Sequence, residues 1–282
     1  MGVRNLNTYL QSHCKTGIST IPLSLFSHKK LVVDTSIYMY RYKAMELLIP
    51  NMIRLITMFQ SLSITPIFVF DGAPKINKQA LLKKRRNQKR TAWLKYKDLT
   101  SSASPDLIQE LKNQFTVISK EDVTTVKSIM DSMHIQYIDA PHEADEVCAK
   151  MAVSRQVHAC VSDDTDMLLY GCSMVVRSID LETKSALLYK LNSILKSVNM
   201  TYTDLKIICV LAGTDYYSTH QPLFHYIKLY REYQQTRLSG FYEWLIQKKH
   251  ISPDKEFQET MEVFTLGLES PSESVGSYIA VD

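Results

Sequence analysis

The sequence lacks several features that would place it in a specialised class of protein. Among its 282 residues no apolar run approaches the roughly 18 residues needed to cross a membrane, and no charged-then-apolar leader opens the chain. We therefore expect neither an anchor nor a membrane partner. Its five cysteines are irregularly spaced, without a Cys-x-x-Cys pair, which argues against a disulfide framework and is typical of a reducing compartment inside the cell. Without a His-Glu-x-x-His motif or a Cys/His set, the sequence does not predict zinc.

Charge is present in an ordinary amount but is unevenly distributed. The chain is 45% hydrophobic and 22% charged, and its net charge of +4 does not by itself indicate a nucleic-acid partner. Between residues 75 and 97, however, ten basic residues occur without an Asp or Glu, with Trp93 and Tyr96 among them. A solvated surface is the simplest explanation of such a run, but one-signed charge beside acids would attract a polyanion and neutralise its phosphates. The basic residues are Lys75, Lys78, Lys83, Lys84, Arg85, Arg86, Lys89, Arg90, Lys95 and Lys97.

The hydrophobic pattern predicts strands that alternate with helices. Short β-branched runs are followed by stretches with helical spacing, which indicates an α/β fold with a central, mostly parallel sheet. We expect helices over 51–62, 143–153 and 201–213, an added pair of strands in SMVVRSI and SALLYKL, and further helical segments from residue 222 onward. The predicted parallel strands are KKLVVD, TPIFVFDG, HIQYIDAP and HACVSDD.

Carboxylates occur where the predicted strands end. Asp34 and Asp71 each end a predicted strand. The segment VSDDTDMLL follows a further predicted strand and contains three acids within four residues. Taken singly, each acid could cap a helix or form a turn. Because the carboxyl ends of parallel strands meet at one edge of a sheet, we expect the acids to converge there. The candidates are Asp34, Asp71, Glu143, Asp145, Asp163, Asp164, Asp166 and Asp215.

Such a cluster of carboxylates needs a hard divalent cation to be stable. A set made only of oxygen ligands suits Mg²⁺, with Mn²⁺ as the alternative. Two such ions about 4 Å apart hold the attacking and leaving oxygens of an in-line phosphoryl displacement. The sequence therefore predicts a site for phosphoryl transfer at this edge of the sheet.

Six segments resemble, in order, the blocks of the flap endonuclease (XPG-type) structure-specific 5′ nucleases: MGVRNL, LVVDTS, PIFVFDGAP, APHEADEVCA, VSDDTDMLLYG and CVLAGTDYY. The resemblance runs from Met1 to about Tyr217. It implies a PIN-like (5′ nuclease) fold and a two-metal enzyme that hydrolyses DNA near single-strand/duplex junctions, as a 5′ flap endonuclease or 5′–3′ exonuclease, in replication, repair or recombination. Asp163 stands where the family usually has a glutamate, and we expect it beside the ligands. The implied ligands are Asp34, Asp71, Glu143, Asp145, Asp164, Asp166 and Asp215.

The resemblance also assigns a role to the basic run. In the family this region forms a helical arch, here about 74–133, and its functional Lys and Arg lie seven residues apart, as do Lys78 and Arg85. These two are expected to contact the scissile phosphate and to act in catalysis together with Glu143 and Asp164.

Two residues outside the arch are similar to family positions near the DNA. Tyr40 corresponds to an aromatic that stacks on a base beside the cut, with core packing as the alternative. Gly2 corresponds to a small buried residue at the start of the chain, with a flexible start as the alternative. The expected nucleic-acid-binding residues are Gly2, Tyr40, Lys78, Lys83, Lys84, Arg85, Arg86, Lys89 and Arg90.

The sequence departs from the family after GTDYY. No glycine occurs from Ser218 through Arg237, so the glycine-containing helix-hairpin-helix that holds K⁺ and grips duplex DNA is not predicted. We expect a nuclease domain over 1–217, a C-terminal helical region with a degenerate helix-hairpin-helix over 218–270, and a loose tail over 271–282. The QxxLxxFF-like segment by which cellular members bind the sliding clamp is also missing.

Two alternatives to a DNA nuclease stay open. A compact member of this kind would suit a large DNA virus, acting in the nucleus or at a viral replication site, and some viral relatives degrade messenger RNA. The segments HEADEVCA, DTDMLLYGC and SILKSVNMTY are similar to that branch. The other alternative is a catalytically silent nucleic-acid-binding module, which would be expected to lack some of the acidic ligands.

Overall fold

One mixed sheet forms the centre of the molecule. The computed structural model describes residues 2–73, 79–99, 103–218, 221–236 and 240–266, without the side chains of 79–82 and 84. Its strands are β1 (Ile18–Pro22), β2 (Lys30–Asp34), β3 (Thr65–Phe70), β4 (Tyr137–Asp139), β5 (Ala159–Val161), β6 (Met174–Asp180) and β7 (Ser185–Lys190). They pair in the order β1-β7-β6-β5-β2-β3-β4. The pairs from β6 to β4 are parallel, whereas β7 pairs with β6 and β1 in antiparallel fashion. This confirms the predicted α/β fold with a mostly parallel sheet.

Helices cover both faces of this sheet. Those of the described ranges are α1 (Leu6–His13), α2 (Thr35–Ala44), α3 (Leu48–Ser61), α4 (Gln79–Lys97), α5 (Pro105–Phe115), α6 (Lys120–Ser132), α7 (Ala144–Val153), α8 (Asp166–Leu169), α9 (Leu191–Val198), α10 (Tyr202–Leu211), α11 (Leu223–Tyr233), α12 (Phe241–Gln247) and α13 (Lys255–Val263). One buried cluster includes side chains of α1, α7 and α10 to α13, and the other includes side chains of α2, α3 and α6.

The central strand β2 shows why the sheet forms where it does. It pairs in register with β3 on one side and β5 on the other, so its backbone is hydrogen-bonded along both edges. Successive side chains of a strand point to opposite faces. Val32 accordingly lies in one core and Leu31 and Val33 in the other, and all three are fully buried. A continuous apolar run of this kind is what a parallel strand covered on both faces requires.

Within the polar segment expected to form an arch, two new helices begin, each with a capping residue. The Ser104 side chain caps α5 by accepting a bond from the Leu107 amide, and Pro105 is its first residue. Helix α6 begins with a capping box between Ser119 and Asp122. Helix α6 buries Val126 and Met130 in the core, whereas no described side chain of α4 or α5 belongs to either buried cluster.

Several elements differ from the expectations. The sequence pattern missed β1, whose residues are mostly exposed, and it missed the short helices α1, α8 and α9. Helix α3 begins at Leu48 rather than at residue 51 because Pro50 fits within a first helical turn, where its missing N–H has no intrahelical partner.

Two further expectations concern membranes and thiols. Across the described ranges each helix is too short or too polar to span a bilayer. The five cysteines are buried and carry free thiols.

Candidate active site at the carboxyl edge of the sheet

Three acids are placed side by side by the pairing of β2 with its two neighbours. Asp34 is the last residue of β2, Asp71 directly follows β3, and Asp164 lies just past β5. Ser162 links two of them: its hydroxyl donates to Asp34 Oδ2 over 3.1 Å and accepts the Asp164 amide over 3.2 Å. Asp34 and Asp164 are 6% and 8% exposed, so both carboxylates are largely removed from water. We call this region, where the parallel strands end, the carboxyl edge.

The electrostatics of Asp34 show that more acids converge on it. Burial raises the pKa of Asp34 well above its ordinary value, and the charges of Asp71, Asp145 and Asp164 raise it further. Burial likewise raises the pKa of Asp164, with Asp215 adding to the effect and a hydrogen bond from the Asp166 amide opposing it. Carboxylates from five chain segments therefore interact at one edge of the sheet.

The start of α7 brings Glu143 and Asp145 to the same place. Asp71 anchors this turn, because its Oδ1 accepts the Ala144 amide over 2.8 Å while its Oδ2 accepts the Ser36 hydroxyl. Glu143 Oε2 accepts the Tyr216 hydroxyl over 2.7 Å. Burial and then this carboxylate raise the pKa of Tyr216, so the phenol stays a donor at neutral pH.

Asp166 and Gly2 lie against Asp164. Asp166 is the first residue of α8, and its amide donates to Asp164 Oδ1 over 3.0 Å. Gly2 has a φ of +90°, and a Cβ atom there would collide with the Asp164 carboxylate and the Thr165 hydroxyl. The next amide, that of Val3, donates to Thr165 Oγ1 over 3.1 Å. The start of the described chain is thus packed on the acids, and a side chain at Gly2 would displace one of them.

Asp163 points away from this cluster. Its Oδ2 pairs with Arg41, and its Oδ1 accepts the Ser178 amide over 2.7 Å. The adjacent residues Asp163 and Asp164 therefore contact different parts of the protein. The expectation that Asp163 stands beside the ligands remains a prediction.

The carboxylate oxygens are the type of donor that a hard divalent cation prefers. Their present spacing is not that of ligands around a bound ion. No three His, Cys, Asp or Glu side chains of the described ranges already have the spacing of a bound ion. Two expected ligands are directed to protein partners, since Asp215 pairs with Arg85 and Glu143 accepts from Tyr216. The donors are nevertheless all oxygens and partly buried, and the mutual repulsion that raises the pKa of Asp34 is what a cation would relieve.

The basic helix α4 faces the acids with one side. Arg85 forms the ion pair with Asp215, and Lys89 lies over the Tyr40 ring, with Nζ 4.9 Å from the ring centroid. Lys89 also donates to the Thr116 carbonyl over 3.0 Å. Tyr40 is half-buried. Burial and then the charge of Asp71 raise its pKa, whereas Arg85 lowers it, which places the ring between α4 and the acids.

The other expected contacts of the basic run are exposed or lie outside the described residues. Lys83, Arg86 and Arg90 are exposed. Lys78 lies outside the described residues, and so does the side chain of Lys84.

Several residues that shape the site carry no charge, so the pattern of acids and bases does not predict them. Ser36, Ser162 and Tyr216 each hold a carboxylate through a hydroxyl, and the Thr165 hydroxyl holds the start of the described chain by accepting the Val3 amide. Their signal in the sequence was proximity, as each lies within two residues of an acid in DTS, VSDDTD or GTDYY.

Comparison with known proteins agrees with this geometry. A model of the XPG N-terminal domain matches residues 1–92, and one of the XPG I-region matches residues 134–215. Flap endonuclease 1 of Encephalitozoon cuniculi is 28% identical over 238 residues, which cover 78% of this chain and 68% of that protein. A probable RAD2-like endonuclease of Invertebrate iridescent virus 6 is 25% identical over 278 residues, covering 77% of this chain and 67% of that protein.

Solved structures share the fold. The catalytic core of Rad2 in complex with DNA substrate matches with a TM-score of 0.66 and 20% identity, covering 94% of this chain and 85% of that one. The Holliday junction-resolving enzyme GEN1, in complex with product DNA, Mg²⁺ and Mn²⁺ ions, matches with a TM-score of 0.56 and 16% identity, covering 88% and 55%. The two family models, the relatives and the converging acids lead to one conclusion: the chain belongs to the flap endonuclease (XPG-type) family of structure-specific 5′ nucleases, enzymes that hydrolyse phosphodiester bonds.

Proposed function

We propose that this nuclease cuts DNA at junctions between single strand and duplex, as a 5′ flap endonuclease or 5′–3′ exonuclease, with two divalent cations held at the carboxyl edge. The observation that carries the proposal is the convergence on Asp34 of carboxylates from three other segments, each of which raises its pKa. A folded protein keeps such repulsion where a cation offsets it.

The proposed ligands keep the set expected from the resemblance. Mg²⁺ is the preferred ion and Mn²⁺ the alternative, because all donors are oxygens. When bound, such ions stabilise the charge that develops on the attacking and leaving oxygens of the phosphodiester. Hydroxyls of the chain orient the donors: Ser36 holds Asp71, Ser162 holds Asp34 and Tyr216 holds Glu143. The proposed ligands are Asp34, Asp71, Glu143, Asp145, Asp164, Asp166 and Asp215.

Arg85 is proposed to contact the scissile phosphate. Its guanidinium already lies at the acids, where it pairs with Asp215. A phosphodiester is an anion that a guanidinium binds in the same bidentate manner as a carboxylate, so it would compete with Asp215 for this side chain. Arg85 would then stabilise the transition-state charge, and Asp215 would be released toward the cations. Lys78 is proposed as the second contact, on the resemblance alone.

DNA is proposed to be held by the arch side of the site rather than by a K⁺-binding hairpin. Tyr40 is placed beside Asp71 and Arg85, where it could stack on a base next to the cut. In the connection from α10 to α11, Gly213 alone of the described residues has a positive φ, and Pro222 directly precedes α11. A glycine-built loop for K⁺ is therefore not part of the proposal.

The test is cleavage of a 5′-labelled flap DNA in Mg²⁺, with an RNA flap of the same sequence in parallel. Asp164→Asn is expected to reduce turnover by more than about 100-fold, since second-shell changes alone cost about 10–100-fold. Asp163→Asn is the matched control, because it removes a neighbouring charge that points to Arg41. Titration of Mn²⁺ by calorimetry gives a readout besides activity, and Asp164→Asn should weaken binding where Asp163→Asn does not. Equal loss in both variants would contradict the assignment, and faster cutting of the RNA flap would replace DNA by RNA as the substrate.

A further inference from the structure

The ends of the strands opposite the active site form a second charged surface, which we call the amino edge. It consists of the segments that lead into the parallel strands and those at the matching ends of β1 and β7, where Ile18 lies opposite Tyr189 and Met174 opposite Lys190. These segments contain no Asp or Glu but several basic residues. They are residues 11–18, 24–30, 61–66, 132–136, 150–158, 171–174 and 189–198.

A cavity of about 420 Å³ opens on this surface, between the starts of β2, β5 and β6. Its volume lies within the range of about 300–1,000 Å³ that is usual for ligand sites. Nitrogen-bearing and hydroxyl side chains dominate its lining, and no carboxylate takes part in it. The polar lining includes His28, Lys29, Lys30, Arg155, His158 and Ser173.

The backbone that carries the lysines is fixed from both sides. The His28 amide donates to the Ser63 carbonyl over 2.8 Å, and the Thr65 amide donates to the Lys29 carbonyl over 3.0 Å. On the other side the His158 amide donates to the Lys30 carbonyl over 2.8 Å. The positions from which the ammonium groups extend are therefore set by the sheet itself, which reduces the entropy lost when they bind a ligand.

Two lysines at this edge have no acidic partner within the described ranges. Lys29 and Lys30 are exposed, and neither forms an ion pair with another residue of the described ranges. Burial lowers the pKa of His158, and the nearby ammonium of Lys29 lowers it further. Exposed ammonium groups that pair with no carboxylate of the described residues are suited to an external anion.

The edge is wider than a single phosphate. Exposed Lys190 ends β7, which is separated from β2 by β6 and β5. With about 4.8 Å between neighbouring strands, Lys190 lies about 14 Å from Lys30. The nearby aromatic ring, that of Phe26, is buried and packs edge-on against His158, so it offers no face to a base. Contacts would therefore go to consecutive phosphates rather than to bases.

We propose that the amino edge is a second nucleic-acid site, which binds the sugar–phosphate backbone of a DNA duplex other than the segment being cut. Lys29, Lys30 and Lys190 neutralise successive phosphates, and binding is driven by release of the counterions that these phosphates had condensed. The site lies at the far ends of the same strands that carry the acids, so both segments are bound at once. The enzyme thereby stays attached to DNA while its active site exchanges substrate.

The experiment measures binding of a fluorescent 20-base-pair duplex by anisotropy in EDTA, with the active site saturated by an unlabelled flap DNA. The wild-type enzyme is expected to bind the labelled duplex, with a log–log salt slope of about −2 to −3 from about 0.9 per phosphate. Lys29→Glu with Lys30→Glu should weaken this binding more than tenfold. The matched control is Lys120→Glu with Lys184→Glu, which makes the same charge change at exposed lysines away from this edge and should stay within twofold.

Three results would overturn the inference. Loss of the labelled duplex signal on saturation with flap DNA would mean that one site binds both. An equal effect of the two double variants would mean that net charge alone is responsible. Displacement of the duplex by a poly-glutamate peptide at a lower concentration than by unlabelled duplex would identify an acidic protein as the better ligand. Flap cleavage in Mg²⁺ should be retained by both double variants, so failure here is separate from failure of the proposed active site.

Discussion

The two ends of the central strand β2 carry charges of opposite sign, and they differ in their exposure to water. At one end Asp34 is buried among other carboxylates, and at the other Lys30 is exposed among other cations. Like charges in water are screened and repel weakly, whereas like charges removed from water repel strongly. The carboxyl edge therefore stores unfavourable energy that a cation can release, while the amino edge can hold its charges without a ligand. The proposed metal site and the proposed docking surface differ in this respect.

The largest expected effect is that of removing one buried charge. Asp34→Asn keeps an acceptor for the Ser162 hydroxyl but ends the repulsion with Asp71, Asp145 and Asp164. We expect more than about 100-fold loss of cleavage. In EDTA we expect a rise in melting temperature of about 3 °C or more, since 1 kcal/mol corresponds to about 2–4 °C in a chain of this size. Calorimetry in EDTA measures the rise in melting temperature. Calorimetry with Mn²⁺ measures how much of the stabilisation by the bound ion the variant loses. A lower melting temperature in EDTA would show that the acids do not repel as described.

Arg85 is expected to have the next largest effect because it bridges the basic helix and the acids. Arg85→Ala should lower kcat by about 100-fold or more, as removal of one donor to transition-state charge does elsewhere, with a smaller change in KM. Arg86→Ala is the matched control, being the neighbouring residue of the same type with an exposed side chain. It should raise KM by a few fold and leave kcat unchanged. Single-turnover kinetics separate the two constants, and similar profiles for both variants would contradict a specific role for Arg85.

The part of the site that sequence predicts follows directly from topology. Parallel strands that end in Asp34 and Asp71 must place them at one edge, and the SDDTD segment after β5 joins them because β5 pairs with β2. Motif spacing could not predict that Asp215 would pair with Arg85, since that contact joins segments 130 residues apart. Nor could it predict the amino edge, because Lys29 and Lys30 read only as the polar start of a strand. Charges that share no motif become a site only once the strand order is known.

Gly2 should give an intermediate effect, because it acts on the acids through space. Gly2→Ala places a methyl group against Asp164 and Thr165, at a φ of +90° that side chains rarely adopt. The methyl group would displace the Asp164 carboxylate, and disturbing the surroundings of a metal ligand costs about 10–100-fold in activity or metal affinity. We expect about tenfold slower cleavage with weaker Mn²⁺ binding. Arg4→Ala, at an exposed position two residues on, is the control and should leave both unchanged. Full activity of Gly2→Ala would show that the chain start moves freely away from the acids.

The smallest effect is expected at the amino edge, on the pKa of His158. Its dependence on salt distinguishes the amino edge from the carboxyl edge. Burial and the charge of Lys29 hold the pKa of His158 below its ordinary value. The folded chain then binds fewer protons at this ring than the unfolded chain, so His158 favours folding above the ordinary histidine pKa and loses that preference as pH falls toward the folded pKa. Lys29→Gln removes one of the two causes, so the pKa of His158, followed by NMR titration, should move upward. The upward shift should shrink in high salt, because Lys29 is exposed and its field is screened, whereas the gain from Asp34→Asn should persist there. An unchanged His158 pKa in low salt would mean that the amino-edge charges do not act on one another, and the contrast between the two edges would then rest on burial alone.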